Sequence, residues 1–306
     1  NPAGSLLYDR DHTLQHHFNT AGMLEVKFYK DLKLTVNAGL TYLGLTNSEF
    51  TNSYYGDAAG IGRIYKTQTN RLAFMANQLL EYNKMIDDHS IRVMVGHESN
   101  LTRTSSMTGS KSHIAVEGGE NVLEWGNAIQ NSGMSSSTST VTLESYLATA
   151  SYIYKERYGL TGNYRADGSS KFAKGHRWGH FGSVGATWMF TNEPFMENAS
   201  KWIKNGKLRV SWGVLGNQDI GDMMFADQYT IENVNGEKAY AWAYKGNPEL
   251  TWERTSTIDL GLEFSVGNYL DVEFDYFYKK TDNMLFPRYV APSLGYGGYY
   301  VNDAAM

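Results

Sequence analysis

The 306-residue sequence predicts an all-β fold, an antiparallel up-and-down sheet of about ten long strands forming a segment of a transmembrane β-barrel. Three observations predict it. Apolar and polar residues alternate with a period of two over stretches of roughly 9–14 residues, the length of tilted spans across ~25–30 Å of hydrocarbon. The connections between these stretches alternate short and long, as periplasmic turns and extracellular loops do. Aromatics make up 14% of the chain, with 22 Tyr against 5 Pro, and they gather near strand ends, where amphipathic rings sit well at headgroup level.

Composition removes other classes. No apolar run approaches the ~20 residues of a membrane helix, so any spanning structure must be a closed barrel. Mean hydropathy is negative, which a barrel tolerates because half of each strand faces a polar lumen. The net charge of −5 gives no support for nucleic-acid binding. There is no cysteine, which excludes disulfides and thiol chemistry. Asn1-Pro2-Ala3-Gly4 supplies neither the charged nor the apolar region of a signal peptide.

In chain order, Phe18–Tyr29 and Leu32–Leu45 read as the first strand pair. Leu24, Val26 and Phe28 oppose Glu25, Lys27 and Tyr29 across a Lys30-Asp31 turn, and Leu34, Val36 and Leu40 oppose Lys33, Thr35 and Asn37. A polar, glycine-containing loop follows from Thr46 to Lys66. The second pair is Asn70–Asn83 and His89–Leu101, turning at Asp87-Asp88. Thr102–Ser139 is weak in strand pattern and reads as a long loop, with a mobile Ser/Thr tract from Ser135 and a helical turn within Glu120–Ile129.

Thr142–Tyr154 and the strand opening at Tyr158 form a third pair around Lys155-Glu156-Arg157. Tyr158, Leu160 and Tyr164 then share one face, and Asn163, Arg165 and Asp167 the other. Asp167-Gly168-Ser169-Ser170 carries turn chemistry, and the return strand places Val184, Ala186, Trp188 and Phe190 on one face. Phe195, Met196, Ala199, Trp202 and Ile203 suit a short amphipathic helix within Thr191–Gly206. Strand Leu208–Leu215 and a long loop, Gly216–Asn247, come next. In the last pair Ile258, Leu260, Leu262 and Phe264 alternate with Asp259, Gly261 and Glu263. Beyond Gly267-Asn268, Leu270, Val272 and Phe274 alternate with Asp271, Glu273 and Asp275. The expected girdle residues are Tyr152, Tyr154, Tyr158 and Trp188 on the turn side, and Trp178, Trp252, Tyr276 and Tyr278 on the loop side.

No constellation supports an enzyme. His12, His16 and His17 are close in sequence, and His176 and His180 are four apart, but that spacing straddles a loop and a strand and lacks a third ligand, so solvated histidines are the better reading. No nucleophile elbow, Walker loop or dinucleotide fingerprint occurs. The carboxylates Asp259, Glu263, Asp271, Glu273 and Asp275 fall on the polar face of a regular hairpin, where lumen lining or pairing with arginines of a plug explains them more simply than glycoside hydrolysis. Arg165 and Asp167 lie two apart on one face, a structural or plug-contacting pair before a substrate clamp. Among loop aromatics, Trp125, Tyr240, Trp242 and Tyr244 are the candidate substrate-binding residues, the last three falling on one side of an extended run. Such rings stack on sugars, and they also pack loops and interfaces.

The segment Tyr164–Trp188, YRADGSSKFAKGHRWGHFGSVGATW, resembles the hallmark of SusC/RagA-type TonB-dependent transporters, nutrient importers of the Bacteroidota outer membrane. Lys207-Leu208-Arg209-Val210-Ser211-Trp212-Gly213 with Gly216-Asn217-Gln218 is similar to a second family segment. Gly246-Asn247-Pro248-Glu249-Leu250-Thr251-Trp252-Glu253 and Asp275-Tyr276 with Lys279-Lys280-Thr281 resemble two more. The resemblance implies one partial barrel domain over residues 1–306, an internal piece of a roughly 22-stranded barrel that cannot transport alone. It implies uptake of oligosaccharides or peptides with a SusD-like surface lipoprotein, TonB-derived energy and an outer-membrane lipid setting. Expected alternatives are a passive porin-type channel and a surface-exposed β-rich binding or adhesion protein. No cofactor or metal is implied.

Overall fold

A computed structural model describes residues 2–118, 122–199 and 201–304. A short helix, α1 (Pro2–Tyr8), leads into β1 (Arg10–Tyr29), β2 (Leu32–Thr51), β3 (Arg63–Ile86), β4 (His89–Ile114), β5 (Ala128–Tyr154), β6 (Tyr158–Ser169), β7 (Trp178–Trp188) and β8 (Ile203–Asn217). A small hairpin follows, β9 (Gln228–Val234) and β10 (Glu237–Tyr244). Then come β11 (Glu253–Val266), β12 (Leu270–Asp282), β13 (Met284–Tyr289) and β14 (Gly298–Ala304). Ten of these strands form one up-and-down sheet in the order β1-β2-β3-β4-β5-β6-β7-β8-β11-β12, while β9–β10 and β13–β14 pair separately. No helix among the described residues is long and apolar enough to cross a membrane.

The short turns sit where local chemistry places them. Lys155 and Glu156 both take positive φ, so the chain reverses within three residues and Tyr154 pairs with Tyr158. On the same rim of the sheet Gly267 takes φ +59°, a conformation that costs glycine no Cβ clash, and Val266 pairs with Leu270.

Strand ends depart from the sequence reading. β4 runs on to Ile114 and β5 starts at Ala128, so most of the expected Thr102–Ser139 loop is strand, including the Ser135–Thr140 tract. The first half of β5 is exposed on both faces, and a strand with water on both sides needs no apolar alternation to stay paired. Of the expected helical turn, Glu120 and Asn121 lie outside the described residues, and the rest holds one 3-10 turn, Trp125–Asn127. The amphipathic helix expected in Thr191–Gly206 is replaced by two 3-10 turns, Phe190–Asn192 and Pro194–Met196. Pro194 starts the second turn, and Gly206 is already in β8, its N–H donating to Thr191 Oγ1 at 3.0 Å. The expected Gly216–Asn247 loop contains the β9–β10 hairpin.

The chain divides into two compact units. One comprises Asn1–Gly22, Ala38–Met75 and Asn100–Val141; the other Met23–Asn37, Ala76–Ser99 and Thr142–Met306. The first has a core of Phe50, Ile64, Val122 and Ala128, with Ile114 and Leu123 against it. Beside that core Asn52 is fully buried; its amide donates to Asp9 and its Oδ1 accepts the N–H groups of Tyr54 and Tyr55, which closes the turn after β2. The second unit has a core of Phe172, Phe181, Ile220, Leu250 and Trp252. Each such side chain contributes about 1.5–3 kcal/mol when fully buried, concentrated where three connections meet.

Candidate functional site

Three of the four motif segments converge on that second core. In the hallmark connection Ser169 Oγ accepts the N–H of Lys171 at 3.1 Å, and the N–H of Thr142 donates to Ser170 Oγ at 2.9 Å. Lys171 Nζ reaches out of the turn to the carbonyl of Ile220 at 2.7 Å. Asn217 Nδ2 donates to Glu253 Oε1 at 3.1 Å. Asn247 Nδ2 donates to the carbonyl of Tyr300 at 2.9 Å. Trp252 Nε1 donates to the carbonyl of Arg177 at 2.8 Å, and its ring packs on Phe172 and Phe181 with centroids 5.4 and 5.3 Å apart. The motif residues thus knot the connections together. Trp252 is accordingly not a girdle residue: it is 5% exposed and buried by the turns around it. Trp178 is 48% exposed and stacks on Tyr146, as a surface ring does.

The acidic residues fall on one face of β11–β12. Gly261 pairs with both Arg209 and Asp275, and Glu263 pairs with both Lys207 and Glu273, so all these residues share a face. Arg209 bonds to Asp275 and lies 3.6 Å from each of Glu263 and Glu273. Lys207 is 3.3 Å from Glu263. A Cβ at position 261 would meet Arg209 Nε at 2.0 Å, so only glycine admits the guanidinium. Asp259 and Asp271 share this face by alternation, opposite Ser211 and Ser265. The other face presents Leu260, Leu262, Phe264, Val272 and Phe274. Sequence reasoning found the acids and missed their basic partners, although Lys207-Leu208-Arg209 displays the same period.

Arg165 and Asp167 do meet. Arg165 Nε donates to Asp167 Oδ1 at 2.6 Å, and its terminal nitrogen donates to Ser145 at 2.9 Å and to Glu98 at 3.2 Å. Glu98 and Ser145 lie on β4 and β5, beyond any local sequence signal.

Of the candidate aromatics, Trp125 belongs to the first unit and Tyr240, Trp242 and Tyr244 to the second. Trp125 stands on the 3-10 turn between β4 and β5, its ring over Gly109. Tyr240 and Trp242 lie on β10, opposite Ile231 and Tyr229 of β9. All four are exposed, at 70, 40, 70 and 52%, and the rings of Tyr229 and Trp242 are 4.7 Å apart. Tyr244 does not continue the row. The register slips between Trp242 and Tyr244, and such a bulge re-aims the side chain beyond it. Its hydroxyl instead accepts the N–H of Tyr300 at 2.8 Å. Lys245 closes the base of the hairpin, donating to Asp227 at 3.0 Å and lying 5.0 Å from the Trp242 ring. The Lys245 ammonium, helped by the Gly246 N–H, holds the Asp227 carboxyl below its usual range.

His12, His16 and His17 all lie on β1, and no group of three or more His, Asp or Glu among the described residues is placed to hold a metal ion. His176 is 3.6 Å from Glu249, whereas His180 pairs with the Tyr164 hydroxyl at 2.8 Å. At the turn side, Glu193 is buried and accepts the Tyr158 hydroxyl at 2.5 Å and Trp188 Nε1 at 3.0 Å. These two donors, Tyr158 first, hold its carboxyl below the ordinary value.

The sequence profile of the family described as TonB dependent receptor-like, beta-barrel matches residues 1–305. The TonB-dependent receptor SusC of Bacteroides thetaiotaomicron is 27% identical over 93% of this chain and 29% of its own length. The TonB-dependent receptor P3 of Formosa agariphila is 30% identical over 73% of this chain and 22% of its own length. The solved RagAB peptide transporter superposes with a TM-score of 0.91 at 20% identity, covering 99% of this chain and 34% of that one. The chain therefore spans about a third or less of the length of these three proteins.

Proposed function

The chain belongs to the TonB dependent receptor-like, beta-barrel family, a family of outer-membrane transporters, and from that premise we propose that it forms part of the wall of an energised nutrient importer. The observation that carries the reading is the division of the β8–β11–β12 sheet into a charged face and an apolar face. A Lys or Arg facing lipid at the bilayer midplane costs about 2–4 kcal/mol. Lys207, Arg209 and the carboxylates Asp259, Glu263, Asp271 and Glu273 accordingly line the lumen with Arg165 and Asp167, where they also meet a plug, and Leu260, Leu262 and Phe274 face lipid. Residues 1–306 are then one barrel domain of a longer transporter.

The ligand class is oligosaccharide, with peptide as the second reading. Tyr229, Tyr240 and Trp242 present flat rings on one face of a hairpin, toward its base, suited to the apolar C–H faces of pyranoses. Tyr244 serves as an anchor behind them. A SusD-like surface lipoprotein closes over these loops and the TonB complex supplies energy to the whole protein. Uptake of a fluorescent oligosaccharide by cells carrying the full-length gene tests this. Import should stop when TonB is deleted, whereas persistence at the full rate would favour a passive porin-type channel. Trp242→Ala should lose uptake at an unchanged outer-membrane level; unchanged uptake removes the hairpin from ligand binding.

A further inference from the structure

The first unit carries an open cleft of about 650 Å³ along β3, β4 and β5 beneath Trp125. The geometry points to this cleft as a binding site for an acidic saccharide, an inference that rests on the importer reading and names its substrate more closely.

Four features carry it. The indole of Trp125 is seated where a Cβ on Gly109 would lie 2.4 Å from it, so glycine lets the ring settle against the strand as a floor of the cleft. The lining includes two ammonium groups, Lys66 and Lys111, and no carboxylate, in a chain of net charge −5. The Lys66 side chain is 18% exposed; its partner Glu124, at 3.3 Å, stands 64% exposed outside the lining. Lys111 donates one proton to the Trp125 carbonyl at 2.9 Å, and an ammonium has three to give. The remaining lining is rich in hydroxyls and amides, with Gln68, Asn131 and Ser135 among them.

A flat ring, hydroxyl-matching groups, one ammonium paired with the exposed Glu124 and a second ammonium bonded to a carbonyl together suit a sugar bearing a carboxylate. A peptide is a poorer occupant. β4 lies between β3 and β5 in the sheet, so the cleft offers no free strand edge to pair with a peptide backbone.

The test uses the purified full-length transporter in detergent and calorimetric titration with three probes: an oligogalacturonate, a neutral galacto-oligosaccharide of the same length, and a glutamate-rich peptide. The oligogalacturonate should bind best. The double variant Lys66→Gln, Lys111→Gln should weaken it about tenfold or more, ~1.4 kcal/mol per decade, and leave the neutral sugar unchanged. Trp125→Ala should weaken both sugars; if it fails to fold, the lysine variant decides alone. Equal binding of neutral and acidic sugars, an unaffected lysine variant, or equal binding of the glutamate-rich peptide would each overturn the assignment. TonB-dependent import of neutral oligosaccharides without acidic preference would leave the importer standing and remove only this inference. Absence of any driven uptake would remove the importer, while the detergent titration still decides the cleft.

Discussion

Trp252→Ala probes whether the motif residues hold the connections or meet ligand. Trp252 is 5% exposed, contacts two aromatic rings and donates to the Arg177 carbonyl. Truncating a buried Trp costs about 3–5 kcal/mol through lost transfer energy and the cavity left behind. None of the β6–β7–β8–β11 pairings passes through this ring. The loss should therefore appear as local opening of residues 218–250 with the sheet intact. At ~1.4 kcal/mol per decade, a cost of about 4 kcal/mol accelerates amide exchange there roughly a thousandfold. Hydrogen exchange of the full-length transporter in detergent, read by mass spectrometry on peptides from this segment, measures it. Trp252→Phe keeps the ring contacts and loses the bond to Arg177, so it should cost only about 1 kcal/mol. Unchanged exchange in the alanine variant, or equal acceleration across β6 to β8, would refute the knot as a separate unit of stability.

Two further outcomes follow from the geometry. Gly261→Ala should displace Arg209 from Asp275 and lower stability by about 1–3 kcal/mol, read as a lower thermal midpoint of the folded transporter; an unchanged midpoint would mean that the guanidinium moves freely. Glu193 has a lowered folded pKa, so its contribution is fully present above the ordinary carboxylate value of about 4.3 and is lost as pH falls through the lowered value. Glu193→Gln should abolish that part of the acid dependence, and identical acid profiles for the variant and the parent protein would contradict the assignment.

Much of the sheet is legible in the sequence because short turns and two-residue alternation are local. The Gly267-Asn268 turn and the two faces around it needed only neighbouring residues. β4 and β5 were read short because their outlying halves have no apolar face to advertise, yet the backbone ladder continues. The Thr191–Gly206 segment carried helical spacing, but Pro194 and the Thr191–Gly206 bonds divide it into single turns. Trp252 reads as a girdle ring in the sequence and is a core ring in the structure, since strand-end position is shared by both kinds and only the remote partners Phe172 and Phe181 distinguish them. The Tyr240–Trp242–Tyr244 row failed for a similar reason: a bulge is a property of two strands, and β9 went unrecognised. The cations beside Trp125 are distant in sequence from one another and carry no motif.

The β9–β10 hairpin leaves the second unit through a narrow neck. Asp227 and Lys245 close it, the Gly246 N–H reinforces it, and Asn247 then fastens the chain to Tyr300. None of the ten main strands takes its register from residues 228–244. That stretch is consequently an exchangeable cartridge: its length, charge and ring content can be rewritten without respecifying the wall that carries it. A substitution or graft there leaves the ten-strand register alone, while the same changes a few residues on, at Asn247 or Trp252, would strike the fastening itself.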